Sequence, residues 1–198
     1  MKSAADGFPG SANRYIIHKA MAEIKMFHPV KLICGLIAAK AGVFERAEER
    51  LAETFGPVDG RSAQFAFDLT DYYEAEMGSG LFRRFLSFER LIDPSRLSDI
   101  KHTTNGLEKE AQAEAGESGR SVNIDPGYLT SAALIFATTK DFSHRIPLNK
   151  GIYAHLELLF QKNGVQHLAW TYPDFRNDRY ASFFLGVRQV YLGQLRGR

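Results

Sequence analysis

One cysteine, Cys34, and one tryptophan, Trp170, occur in a chain of 198 residues. A single thiol excludes an internal disulfide and any multi-cysteine metal site. Cys34 lies inside an apolar run, where the ordinary role is that of a small buried core residue. Long apolar runs are missing too. The longest, Leu32–Ala39, falls far short of the ~20 residues that a membrane-spanning helix needs. The opening MKSAADGFPGSANRY has no apolar h-region of a secretory signal, so a cytoplasmic location is expected and no membrane partner. Around Thr138-Thr139-Lys140 there is no glycine-rich loop to cradle a phosphate. Excess charge is also absent from the body. Residues 1–29 hold four basic and two acidic side chains, and the rest hold 21 of each. A neutral body without a basic stripe gives no footprint for nucleic acid.

What is present is an ordinary globular composition, 44% hydrophobic and 24% charged. The length fits one domain with an appendage. We expect an extension over 1–28 and a single α+β domain over 29–198. Residues 1–12 are small and polar and should be loosely held. Tyr15–Phe27 places Ile17, Ala20, Met21 and Ile24 at helical spacing, a short amphipathic helix that His28-Pro29 would end.

From there the chain alternates. KLICGLIA (Lys31–Ala38) is apolar on both faces and reads as a central strand. Val43, Ala47, Leu51 and Phe55 form a helical stripe, stopped by Gly56-Pro57. Phe65, Phe67 and Leu69 alternate with Ala66 and Asp68 as a strand. Asp71–Gly80 is a polar aromatic connection, and Phe82–Ile92 returns as a strand. Asp93-Pro94 opens a second helix with the stripe Leu97, Ile100, Thr104, Leu107 and Ala111. Val122–Asp125 is the next strand. This order predicts a ferredoxin-like βαββαβ core with two helices on one face of an antiparallel sheet. C-terminal antiparallel strands extend it at Ala132–Lys140, Arg145–Leu148, Ile152–Phe160 and Val165–Trp170. A final helix follows, capped by Asn177 or Asp178, with the stripe Tyr180, Phe183, Phe184, Val187, Val190 and Tyr191.

The chemistry gathers between Arg120 and Arg145. Asn123 and Asp125 alternate with Val122 and Ile124, and Asp125-Pro126-Gly127-Tyr128 reads as a tight turn. An apolar run follows, and then Lys140, Asp141, His144 and Arg145 fall within six residues. Asp125, Asp141 and His144 are the candidate acid–base groups. Asn123, Lys140 and Arg145 are candidate ligand contacts, the two cations as phosphate anchors. Taken alone, Asp125 is explained by turn chemistry. The Asn163-Gly164 pair predicts a two-residue hairpin with Lys162 opposite Val165. Glu157 then faces Trp170 and His155 faces Tyr172, one side of the sheet combining aromatic walls with titratable groups. Glu157, Trp170 and Tyr172 join the ligand-binding candidates, against the plainer reading of a sheet face under a helix. Glu74 and Glu76 share a face if their segment is extended, and paired carboxylates can hold a divalent metal. A solvated loop edge is the plainer reading there. Arg145 is expected within salt-bridge reach of Asp125, Glu74 or Glu76.

KLICGLIA, FAFDLTDYYEAEMG, FLSFERLI, RSVNIDPGYL, ATTKDFSHRI, GIYAHLELLF and WTYPDFR, in this order, resemble the bacterial family called domain of unknown function 4416. The resemblance spans about residues 29–195. It implies a bacterial single-domain protein and identifies no substrate. The family resembles the chain from about Met26 onward, so residues 1–25 stand outside it. His155 occupies a position where an acidic residue is more usual, which weakens any metal site there. Two functional classes remain: an enzyme or binder acting on a small phosphorylated or anionic metabolite, and a non-catalytic protein-interaction module. A chain begun at Met26 should keep its unfolding free energy in urea to within ~1 kcal/mol. A loss of several times that would place the Ile17–Ile24 segment in the core.

Overall fold

The computed structural model describes residues 23–70, 72–116, 119–162 and 164–197. The chain runs β1 (Val30–Ala38), α1 (Ala41–Phe55), β2 (Val58–Arg61), β3 (Phe65–Ala66), α2 (Glu74–Met77), β4 (Phe82–Ile92), α3 (Leu97–Ala115), β5 (Asn123–Leu129), β6 (Ala133–Thr138), β7 (Ile146–Pro147), β8 (Tyr153–Gln161), β9 (Gly164–His167) and α4 (Asp178–Arg196). All nine strands join one sheet in the order β2-β4-β1-β5-β6-β8-β7, with β3 also on β4 and β9 also on β8. Every pairing is antiparallel. The protein is α+β, with four helices on this sheet.

β1 is buried at every position, as its apolar run from Leu32 to Ala38 requires of a strand covered on both faces. One face carries Leu32, Cys34, Leu36 and Ala38. Val43, Phe44, Ala47 and Leu51 of α1 pack on it, and so does Ile100 of α3. Both helices therefore lie on the same side. The opposite face carries Ile33 and Phe85 and is covered by Tyr180, Phe184, Val187 and Tyr191 of α4. α1 stops at Gly56, whose φ of 99° suits glycine. Asp93 accepts from the Ser95 N–H to open a short 3₁₀ turn into α3. Asn177 caps α4 by accepting from Arg179.

Charged groups are also buried, among them Lys31, Arg83, Lys101 and Glu157. Lys31, on β1, is fully buried. Its Nζ pairs with Asp59 of β2 and donates to Gln194 Oε1 of α4 at 3.0 Å. Asp59 also accepts from Ser87 of β4 at 2.7 Å. Three strands and a helix thus meet at one ion pair.

Several expectations are corrected. The strand expected across Phe65–Leu69 shrinks to β3, and the earlier β2 takes up the edge of β4, with a register shift between Val58 and Gly60. Asp125–Tyr128 is not a turn but the middle of β5, paired with β1 from Asn123 through Leu129. Ladder hydrogen bonds over seven residues outweigh the local preference of Asp-Pro-Gly. The strand expected at Arg145–Leu148 is reduced to Ile146–Pro147, because Pro147 lacks a donor. β9 ends at His167 instead of Trp170, and the Thr171 N–H closes a turn onto the Leu168 carbonyl. The hairpin register is also offset. Gln161 pairs with Gly164, and Phe160 with Val165. Gly164, at φ 140°, opens the strand; residue 163 lies outside the described residues. Val190, expected in the α4 stripe, is 48% exposed. Of the helix expected at Tyr15–Phe27, residues 23–27 are irregular and exposed, and the remainder lies outside the described residues.

Gly127 sets how closely β5 approaches β6. A Cβ there would stand 2.4 Å from the Ile135 carbonyl oxygen and 2.7 Å from the Phe136 ring. Gly127→Ala should therefore cost about 1–3 kcal/mol in urea unfolding by forcing the two strands apart. An unchanged midpoint would refute the tight approach.

Candidate functional site

The β5–β6 ladder runs from Leu129↔Leu134 to Gly127↔Phe136 and ends there. Pro126 is the next residue, and a proline tolerates an unpaired flank because it has no N–H to lose. Beyond it, Asn123 and Asp125 stay on β1, while β6 continues to Thr138 on β8. The gap between the diverging strands opens into a cavity of about 760 Å³. That volume is typical of small-molecule sites.

Three walls enclose it. Lys101, Asn105, Glu108, Lys109 and Gln112 line it from α3, at helical spacing beside the apolar stripe that packs on β1. Phe67, Tyr72 and Tyr73 line a second side, and Phe136, Lys140, His155, Glu157 and Tyr172 a third. Asn123, Asp125 and Gly35 also border the space.

Near α3 the charges interlock. Lys101 Nζ donates to the Ile124 carbonyl at 2.9 Å and to Asp125 at 3.3 Å. Asn123 donates to Asp125 at 2.7 Å and accepts from Arg120 at 2.7 Å. Arg120 pairs with Glu76 at 2.9 Å and lies 3.7 Å from Glu108. Glu108 accepts the Ile124 N–H at 2.6 Å. Burial holds the Glu108 carboxyl above its ordinary range, against the pull of Lys101 and Arg120. Across the cavity, Arg83 pairs with Asp174 and lies 4.5 Å over the Phe67 ring. Burial pushes the Asp174 carboxyl up in spite of Arg83.

The third wall is a closed network. Glu157 is fully buried and accepts the Tyr172 N–H at 2.8 Å. Its other oxygen lies 2.9 Å from His155 Nε2, an ion-pair distance without hydrogen-bond alignment. The other ring nitrogen of His155 accepts from Arg145 Nε at 3.4 Å and lies 3.2 Å from His144 Nε2. Arg145 also donates to the Tyr172 hydroxyl at 2.6 Å and to the Lys140 carbonyl at 2.8 Å. His144 stacks on Trp170, and His155 on Tyr172. Lys140 lies 3.7 Å over the Tyr72 ring at the rim.

The structure thus gathers Asn123, Asp125, Lys140, Glu157 and Tyr172 around one cavity, with Arg145, His144 and Trp170 braced against its wall. His155 and Tyr172 still meet, but beyond the end of β9: the Tyr172 N–H is bound by Glu157, and the ring stacks on His155. Asp141 is not brought in. It is exposed, and among the described residues no side-chain hydrogen bond or ion pair reaches it. Arg145 pairs with none of Asp125, Glu74 and Glu76; its partners are Tyr172, His155 and the Lys140 carbonyl. Glu74 and Glu76 lie on a helical turn, not an extended segment, so residues two apart diverge. No group of three or more His, Cys, Asp or Glu suited to a metal ion occurs among the described residues. Sequence reasoning missed the α3 wall, Arg83 and Arg120. The missed signal is the regular run Lys101, Asn105, Glu108, Gln112, a second stripe of polar residues beside an apolar one.

The fold and cavity define an α+β protein with a ligand-sized opening where its sheet splits. Residues 28–191 match the family described as Domain of unknown function (DUF4416), and the chain belongs to that family. No curated protein and no solved structure matches. No helix among the described residues is long and apolar enough to cross a membrane.

Loss of solvent, with His155 and Arg145 adding repulsion, lowers the His144 pKa. The unfolded chain then binds the proton more readily. Stability should be complete above the ordinary imidazole value of about 6.5 and decline as pH falls through it. His144→Asn should flatten that part of a urea-unfolding pH series.

Proposed function

We propose that the chain binds or acts on a small phosphorylated or anionic metabolite in the β5–β6 cavity. One observation carries this reading. Among the ammonium groups lining the cavity, those of Lys109 and Lys140 have no carboxylate partner among the described residues. Arg83, Lys101 and Arg120 are each matched by Asp174, Asp125 or Glu76. These two unmatched ammonium groups give an anion a place to sit, and aromatic rings beside them supply apolar walls for the rest of a ligand. Asp125, with His144 held through His155, would supply acid–base groups if the site is catalytic. A divalent metal would enter with the ligand's phosphate, because no group of three or more His, Cys, Asp or Glu suited to a metal ion occurs among the described residues. We read the protein as bacterial and cytoplasmic, with a family domain over 29–198 preceded by an extension. The strand order β2-β4-β1-β5, with α1 and α3 on one side, supports a ferredoxin-like core extended by β6–β9 and α4.

A thermal-shift panel of inorganic phosphate, sugar phosphates and carboxylates, with and without Mg²⁺, tests the reading, since a ligand of the native state raises the melting temperature. Lys140→Ala should weaken the best binder on the order of tenfold, and added salt should weaken it further. Equal shifts in both proteins would remove Lys140 from the site. A second reading, the protein-interaction module, draws on Phe142, Ile146 and Leu148, which are 61%, 64% and 42% exposed beside the β7 edge. Self-association in light scattering that Ile146→Asp abolishes would favour it.

A further inference from the structure

We infer that Glu108 is the proton-accepting member of the anion subsite, so that an oxyanion drawn in by the unmatched Lys109 and Lys140 binds together with one proton. The inference rests on the cavity reading above and deepens it. Two carboxylates share this end of the cavity, and their surroundings differ. Asp125 is held by the Lys101 ammonium and by the Asn123 amide, one on each oxygen, and its side chain is 33% exposed. It stays ionised. Glu108 is only 12% exposed. One oxygen accepts the Ile124 N–H at 2.6 Å, while the other has Arg120 at 3.7 Å, beyond hydrogen-bond reach. That guanidinium is shared with Glu76 and Asn123.

The charged groups around Glu108 are Lys101 on its own helix, Asp125 on β5 and Arg120 on the connection before β5. An incoming anion competes for both cations and adds a negative charge next to a carboxylate already short of solvent. Ionised Glu108 would then lose its neutralising partners in a poorly hydrated space, which is costly. Protonated Glu108 removes the repulsion and turns its free oxygen into an O–H donor aimed at the anion. Burial, which already lifts this carboxyl above the ordinary range, leaves little further work for the ligand. The proton comes from solvent and returns to it on release.

Sulfate is the probe, because it stays a dianion throughout the neutral range. Calorimetric titration of the full chain with sodium sulfate, in buffers of different ionisation enthalpy, counts protons taken up. Uptake approaching one proton per sulfate is expected, with affinity falling up to about tenfold per pH unit as pH rises. Glu108→Gln keeps the acceptor for Ile124 and should bind sulfate with no uptake and a flat pH profile. Should that variant fail to fold, carboxyl-carbon NMR of labelled wild-type protein reads the Glu108 titration directly, and sulfate should move it upward. Binding without proton uptake, uptake that persists in Glu108→Gln, or an unmoved Glu108 titration overturns this inference and leaves the cavity reading intact. No sulfate binding by either protein overturns both.

Discussion

β5 is held against β6 at one place and released from it at the next. Gly127 lets the strands approach so closely that a single methyl group would strike the opposite carbonyl. Pro126, one residue earlier, has nothing to donate across the gap. The tight contact and the missing donor are adjacent, so the ladder closes firmly and then stops. The cavity, its basic rim and the access of α3 side chains to the strand floor all follow from that stop. A sheet zipped along its full length would place Asp125 beside a β6 partner and leave no interior space.

The periphery is organised by Glu157. Its two oxygens address a backbone N–H in one segment and an imidazole in its own strand. Through His155 and Tyr172 the constraint passes to Arg145, and through the Lys140 carbonyl to the rim of the cavity. A group with no solvent exposure thereby settles the conformation of a loop that is largely exposed. The polar atoms involved belong to β8, the loop after β6 and the turn after β9, which otherwise have few reasons to keep fixed relative positions.

Much of the frame was legible in the residues. The apolar run of β1, the four-residue spacing of α1 and the cap and proline before α3 are local signals, and each was sufficient where tertiary pairing agreed with it. Asp125-Pro126-Gly127 was misread because its local chemistry favours a turn, while its partners, β1 and β6, lie far away in sequence. The α3 wall went unseen for a related reason. A polar helical stripe looks like a solvated face unless the neighbouring strands are known to part. The hairpin slipped by two residues because a glycine can serve as turn or as strand opening. His155 still met Tyr172 for another reason: past the end of β9, Glu157 binds the Tyr172 N–H and sets the ring on the imidazole. Asp141, inferred only from proximity in sequence, had no geometric reason to join its neighbours.

Lys31 has a consequence beyond its energy. β1 is apolar on both faces, so shifting it by one position against β4 would still bury aliphatic side chains, and hydrophobicity alone discriminates weakly between the two arrangements. The ammonium removes that ambiguity. A one-position slip would carry it to the opposite face, away from Asp59 and Gln194, and leave a charge in hydrocarbon. The buried ion pair therefore acts as a registration mark for the central strand. Because β5 reads its alignment from β1, the same mark determines which of its residues stand at the opening between β5 and β6.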